Sequence, residues 1–440
     1  MPGALTWDPT PPGGSQSTSR GGVNPAADGA SLSSTEVAAT RALVSKAGNR
    51  RPVAALRHCG NVNQLSAVNT NYTYQQLFAV PFDFEAVAFT LINPGAAVAY
   101  DAAGIVAATG AAVDVQAGPT NGGAFANVLT AAGSSTLSVP AGPGGTGISV
   151  LHTAYADCPS VPRTDDPTSA WRLALARFVV TTAANPSIGR SNINSKLPDH
   201  ATIAGNYLWD CYFRSADNVT TNQGGFAAGV RAGSIWPNVY PTFLARARVS
   251  SLAIVGDSTM GDNGGAYSPA WRGLGLQIAQ NLATERPYML PFNLSTSGRA
   301  AADFHADAVA LLPVVKPSVA IILSASVNTG FTAAQLRAQW TSLIKAVRAA
   351  VDAGVQPVIA TPWPKTYSTN ATARAAFVAD VLAYGSANGI PALDFDAWYG
   401  TGSGSARTWA AGTNYDADHP SLETMQDAAT RAAAIVLPYL

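Results

Sequence analysis

The pattern of hydrophobic and polar positions changes twice along the chain, near residues 50 and 250. Up to residue 50 there is no sustained apolar run, and Pro, Gly, Ser, Thr and Ala dominate, as in Pro9-Thr10-Pro11-Pro12-Gly13-Gly14-Ser15. Such a segment buries too little apolar surface to order by itself. Within it, only residues 34–44 read as a short helix, with Ser33 or Ser34 as cap. Residues 51–249 carry short, alternating, β-branched runs between turn residues: 85–92 before Asn93-Pro94-Gly95, 135–139 before Pro140, then 173–180 and 207–213. Closely spaced short strands with Gly/Pro turns predict a β-sandwich of jelly-roll type. The Pro-containing, acidic stretch 157–166 reads as a long surface loop.

From residue 250 to 440 strands alternate with helices. Strands are expected at 251–256, 291–295, 317–324, 356–361 and 391–395, and helices at 268–285, 302–313, 332–353, 371–387 and 421–437, with a long loop over 398–418. The helix from 332 has the clearest period, with Leu336, Trp340, Leu343, Ile344, Val347 and Val351 at three- and four-residue spacing and Thr332 as cap. Near-continuous apolar strands alternating with helices imply a parallel five-stranded sheet covered on both faces. The chain thus divides into an arm (1–50), a β-rich region (51–249) and an α/β region (250–440), and it shows no internal repeat.

Charge narrows the functional classes. The 26 Lys and Arg balance 26 Asp and Glu, so binding of nucleic acid or an anionic membrane through a basic surface has no support. No run reaches the roughly 18 apolar residues of a membrane span, and the start Met1-Pro2-Gly3-Ala4-Leu5-Thr6-Trp7 lacks the basic-then-apolar pattern of a secretory signal. The expectation is a cytoplasmic protein, or one released by a route that needs no signal. Cys59, Cys158 and Cys211 form no C-x-x-C pair, and free buried thiols are expected over a single bridge.

Candidate chemistry centres on Gly256-Asp257-Ser258, which follows the apolar run Leu252-Ala253-Ile254-Val255. Ligands of open α/β sheets bind at the carboxyl ends of strands, and a serine there needs a base to become a nucleophile. His419, in Asn414-Tyr415-Asp416-Ala417-Asp418-His419-Pro420, precedes the last helix and falls on the same rim of the sheet. Asp416 can fold back onto the imidazole and orient it, whereas the adjacent Asp418 should point elsewhere. Asp257 is expected to brace its turn, and His305 to have a packing or solvated role. No Walker-type phosphate loop and no metal cluster is evident, since Gly261-Asp262-Asn263-Gly264-Gly265 lacks the lysine and the His and Cys residues are scattered.

Gly256-Asp257-Ser258 together with Asp416-x-x-His419-Pro420 resembles the SGNH (GDSL-type) serine hydrolase superfamily over residues 250–440. That family has a flavodoxin-like three-layer α/β/α fold, and its further blocks fall here on Gly298 in Ser295-Thr296-Ser297-Gly298-Arg299 and on Asn328 in Ser326-Val327-Asn328-Thr329. The resemblance implies Ser258, His419 and Asp416 as catalytic residues. It also implies an oxyanion hole made by the backbone N–H groups of Ser258 and Gly298 and the Asn328 amide. The third block departs from the usual Gly-x-Asn-Asp, keeping only its asparagine. Pro362-Trp363-Pro364 and Asp394 also look like the family.

These readings predict a serine esterase that needs no cofactor. Carbohydrate esterases of this kind are often paired with a β-sandwich, so the expected substrate is an acetylated polysaccharide or other ester. Tyr72, Tyr74, Trp171, Trp209, Tyr212, Trp236 and Tyr240 could line a sugar groove or fill the core of the β-rich region. The alternative expectation is a phage-particle structural or receptor-binding protein that binds glycans through a hydrolase-like domain, whether that domain is active or inactive. An arm at 1–50 is consistent with assembly into a homo-oligomer or larger, virion-associated complex.

Overall fold

The computed structural model describes residues 51–54, 64–67, 73–93, 96–108, 130–142, 148–164, 167–181, 187–190, 201–203, 206–208, 210–215, 230–231, 239–246, 249–261, 273–295, 298–365, 370–403 and 406–440. The arm at 1–50 and its expected short helix lie outside them, as do Cys59, Tyr72 and Trp236, and the side chains of Tyr74, Trp209, Cys211, Tyr212 and Tyr240.

Apolar strands of the β-rich region form two main antiparallel sheets. One runs Arg51–Ala54, Val239–Ala245, Phe84–Asn93, Ser149–His152, with Ala156–Asp157 also paired to Phe84–Asn93. The other runs Val230–Arg231, Asp210–Ser215, Thr73–Val80, Arg172–Val180, Val98–Ala108, Thr136–Val139. Rings from the two meet: Phe78 lies 5.6 Å from Phe89 and 6.4 Å from Phe243, and Phe89 lies 5.3 Å from Phe178. Trp171, one of the seven aromatics weighed for a sugar groove, is buried in the core. Many connections between these strands are outside the described residues, and jelly-roll connectivity stays an expectation. Within the stretch expected to be a surface loop, the N–H groups of Cys158 and Ser160 donate to the carbonyls of Glu85 and Phe84 and extend the strand edge. Cys158 is a buried free thiol, pushed up to about 12 by burial.

The second half builds a parallel sheet from β1 (Ser250–Val255), β2 (Met289–Asn293), β3 (Val319–Leu323), β4 (Gln356–Ala360) and β5 (Ala392–Leu393). Their spatial order is β2-β1-β3-β4-β5, the flavodoxin-like winding. Among the described residues, six helices accompany the strands: α1 (Leu274–Asn281), α2 (Ala301–Val315), α3 (Ala333–Asp352), α4 (Ala371–Ala387), the short α5 (Phe395–Tyr399) and α6 (Leu422–Val436). Right-handed crossovers place the helix after β1 on one face and those after β2, β3 and β4 on the other. The contacts agree, since α1 packs on α6 while α2 packs on α3 and α3 on α4. Covered on both sides, every residue of β1 and β3 is buried, which explains their continuous apolar sequence.

Local signals fix the helix ends. Thr332 caps α3 in a reciprocal capping box with Gln335, and Ser421 caps α6 through the Thr424 N–H. The buried face of α3 is Leu336, Gln339, Leu343, Ala346, Val347 and Ala350. Val351, expected in that face, is instead 55 % exposed, and Ala346 and Ala350 are buried in its place. The expected loop at 398–418 contains a two-strand ladder, Gly400–Thr401 with Thr408–Trp409, and α5 overlaps its start.

His305, on α2, is fully buried, with Nε2 donating to the Leu323 carbonyl at 2.8 Å and Nδ1 2.8 Å from Ser342 Oγ. It is a packed core histidine, and desolvation lowers its pKa to about 4. A group depressed on folding contributes stability above its unfolded pKa that is lost as pH falls through the folded one. Acidification from pH 6.5 to 4 should therefore cost about 3 kcal/mol through this residue. Urea unfolding across that range should show a shallower loss of stability in His305→Gln than in the wild type.

Candidate active site

The site lies at the carboxyl ends of β1 and β3, where the winding of the sheet reverses, the place at which open α/β sheets bind ligands. β1 ends at Gly256, where a Cβ would come within 2.7 Å of the Met260 side chain, so only glycine permits this sharp turn. Asp257 and Ser258 follow. Asp257 is fully buried, and its Oδ1 accepts the Thr259 N–H at 2.9 Å and the Thr259 hydroxyl at 2.6 Å. This is the bracing expected of it. Burial raises its pKa, against the Ser326, Thr259 and His419 interactions, which lower it.

The structure brings Ser258, His419 and Asp416 together. His419 Nε2 is 3.0 Å from Ser258 Oγ, and Nδ1 is 3.0 Å from both carboxylate oxygens of Asp416. A carboxylate only accepts, so the Nδ1 proton points to Asp416 and the Nε2 lone pair faces the serine. The loop holding this relay is closed by its own backbone: Tyr415 N–H donates to the His419 carbonyl and Ser421 N–H to the Thr413 carbonyl, both at 2.9 Å. Asp416 Oδ1 also accepts the N–H groups of Asp418 and His419, each at 2.8 Å. Partial burial is the largest influence on Asp416 and pushes its pKa up. The two N–H groups and the imidazole together outweigh it, and the carboxyl stays below its ordinary value. Asp418 turns away and forms an ion pair with Lys365.

The same loop is anchored to an aromatic stack. Trp409 Nε1 donates to the Ala417 carbonyl at 3.2 Å. Trp363, from Pro362-Trp363-Pro364, stacks on Phe395 at 4.0 Å and on Trp409 at 6.0 Å. Asp394 caps α5 through the Ala397 N–H, which fixes Phe395 beneath Trp363. These two sequence features therefore support the histidine loop without touching the relay.

Gly298 and Asn328 reach the same rim from the loops after β2 and β3. Gly298 has φ +71°, a conformation that favours glycine, and a Cβ there would meet nothing within 4 Å. Its backbone is open to whatever binds at that rim. Asn328 is exposed, and its Nδ2 donates to the Arg299 carbonyl at 3.2 Å.

Sequence reasoning missed the residues that bind these loops. Ser326 Oγ lies 2.6 Å from Asp257 Oδ2, 2.8 Å from the Arg299 carbonyl and 3.0 Å from the Asn328 N–H that it accepts. Thr329 Oγ1 accepts the Ala301 N–H at 2.9 Å and so caps α2, whose own N-cap residue, Ala300, has no side-chain acceptor. The departures from Gly-x-Asn-Asp were the signal, because each puts a hydroxyl where the family pattern has another residue. Among the described residues, no group of three or more His, Cys, Asp or Glu could hold a metal, and no helix is long and apolar enough to cross a membrane.

No family model matches this sequence, and no curated protein matches it. Similar solved structures are GDSL-type lipolytic proteins and acylhydrolases. A lipolytic protein of the G-D-S-L family from Desulfitobacterium hafniense is 19% identical, over 42% of this chain and 99% of its own, with a TM-score of 0.34. An acylhydrolase from Bacteroides fragilis is 16% identical over 43% of this chain and 88% of its own, with a TM-score of 0.33. A catalytic mutant of an acetylxylan esterase from Geobacillus stearothermophilus is 15% identical over 42% and 93%, with a TM-score of 0.34. Likeness at this level assigns no chemistry, which rests on the side chains at the rim.

Because Gly298 is left-handed but unobstructed, replacing it isolates a backbone cost. Gly298→Ala should lose about 1–2 kcal/mol of stability in urea unfolding, and Gly298→Asn less, since asparagine tolerates this conformation. Equal stability of all three proteins would contradict the backbone geometry.

Proposed function

We propose that this protein is a serine esterase that removes O-acetyl groups from a polysaccharide, with Ser258 as nucleophile, His419 as base and Asp416 as the residue that orients it. The observation that carries this reading is the continuous relay from Asp416 through His419 to Ser258, with both links at 3.0 Å. Ser258 Oγ attacks the ester carbonyl as its proton passes to His419 Nε2. The tetrahedral adduct then expels the sugar alcohol, which takes that proton, and leaves Ser258 acetylated. Water attacks the acyl-enzyme with His419 again as base, releasing acetate and restoring the serine.

The negative charge on the adduct needs donors already in place. The backbone N–H groups of Ser258 and Gly298 and the second N–H of the Asn328 amide are assigned that role. One amide proton is already held by the Arg299 carbonyl, which fixes the plane of the side chain. A small acyl group on a hydrated polymer suits the surroundings. Gly298 and Asn328 are exposed, Asp416 is 47% exposed, and the ring of Tyr415 beside it is 57% exposed. A long acyl chain would call for apolar walls.

Acetate release from acetylated polysaccharides and p-nitrophenyl acetate tests the assignment. Ser258→Ala should abolish release. Asp416→Asn should lower kcat by roughly 100-fold or more, whereas Asp418→Asn should leave it unchanged, since that side chain holds Lys365. Tyr415→Ala should raise KM for the polymer several-fold but not for p-nitrophenyl acetate. Glycan binding with equal release by Ser258→Ala and wild type would favour the receptor-binding alternative.

A further inference from the structure

Three loops of the site converge on one buried hydroxyl, and counting its protons constrains a neighbouring charge. Ser326 Oγ has a single proton, yet two oxygens lie within hydrogen-bond distance, Asp257 Oδ2 at 2.6 Å and the Arg299 carbonyl at 2.8 Å. The Asn328 N–H, at 3.0 Å, donates to Oγ and supplies neither of them. If Asp257 were ionised, one of the two short oxygen–oxygen contacts would have no proton in it, at a position with no exposure to water. A proton on Asp257 Oδ2 completes the set: Oδ2–H donates to Ser326 Oγ, and Ser326 donates to the Arg299 carbonyl. The other oxygen, Oδ1, is already saturated by the N–H and hydroxyl of Thr259. The Arg299 carbonyl also accepts the Asn328 amide at 3.2 Å, but only with Asp257 protonated does each of the two short oxygen–oxygen contacts hold a proton.

We propose that Asp257 is a neutral carboxylic acid at neutral pH, and that its hydrogen bond to Ser326, continued by the Ser326 hydroxyl to the Arg299 carbonyl, locks the nucleophile turn to the Gly298 and Asn328 loops. Ser326 is thereby a positioning residue, and this role rests on the esterase reading; the protonation of Asp257 does not. Burial acts in the same direction, raising the Asp257 pKa. Among the described residues, the groups that face Asp257 are Thr259 on its own turn, Ser326 from the loop after β3, and His419 from the loop before α6. Of these, a charged His419 would draw the proton off, so the lock is tightest with the imidazole neutral, its state when it accepts the Ser258 proton.

Two measurements decide the matter. In protein labelled with 13C at aspartate carboxyls, the resonance that disappears in Asp257→Asn should titrate above the ordinary carboxylate range. An ordinary titration at that resonance overturns the proposal, whether or not the protein hydrolyses esters. For the positioning role, Ser326→Ala should lower kcat roughly 10- to 100-fold, as loss of a supporting partner does, with KM little changed. Ionisation of Asp257 should give wild-type kcat/KM an alkaline decline that Asp257→Asn lacks, because the amide still donates to Ser326 and does not ionise. A decline that persists in Asp257→Asn, or a Ser326→Ala enzyme with wild-type kcat, removes the lock. If wild type releases no acetate, the esterase reading fails while the carboxyl titration still reports the proton.

Discussion

Burial of β1 on both faces is the constraint on which the site depends. Ser250–Val255 is enclosed by helices above and below and by β2 and β3 on either side. A strand so enclosed cannot slip its register without exposing apolar side chains, and the place where it ends is therefore fixed. Gly256 converts that fixed end into a turn, and the winding of the sheet reverses beside it, between β1 and β3. The loop before α6 is held to the same rim by the Ser421 cap below and the Trp409 anchor behind. Residues 161 positions apart in the chain meet at 3.0 Å because each is attached to an element that has no freedom to move.

The two carboxyl groups of the site illustrate how environment divides one chemistry into two roles. Asp416 is half open to solvent and surrounded by N–H donors, so its charged form is favoured and it orients the imidazole. Asp257 has no exposure, and the Ser326 hydroxyl it faces also serves the Arg299 carbonyl, so desolvation dominates. Interchanging these environments would leave a neutral acid beside the histidine and a buried charge under Ser258. Each outcome disfavours the relay, one by removing the acceptor for Nδ1–H and the other by stranding a charge away from water.

Much of the α/β half was legible, because burial on both faces imposes continuous apolar strands, and caps such as Thr332 and Ser421 mark where helices begin. Val351 was misplaced since spacing alone cannot tell which of two flanking positions a neighbouring helix covers. In the β-rich half, the strands at 84–93 and 172–180 follow their β-branched runs, but pairing order depends on partners far away in sequence, which alternation does not encode. At the site, Ser258, His419 and Asp416 could be brought together by the topology of a parallel sheet. Gly298 and Asn328 were accessible only through the family pattern, because a glycine or asparagine after a strand ordinarily marks a turn. Ser326 and Thr329 gave no periodic signal; their meaning lies in which backbone groups they reach.

Those two hydroxyls tie the loop after β3 to the segment that follows β2. The segment 298–301 has a left-handed glycine at its start and an α-helix with no side-chain N-cap at its end. Alone, it would have unpaired groups at both ends. The loop after β3 supplies them, Ser326 reaching the Arg299 carbonyl and Thr329 the Ala301 N–H. Asn328, between them, is held at its own N–H by Ser326 and at its amide by the Arg299 carbonyl. Two loops from different strands thus complete each other's hydrogen bonds, and neither can shift without unpairing groups in the other. Preorganisation of the assigned donors follows from that mutual dependence, since the cost of holding them is met by the fold before any substrate arrives.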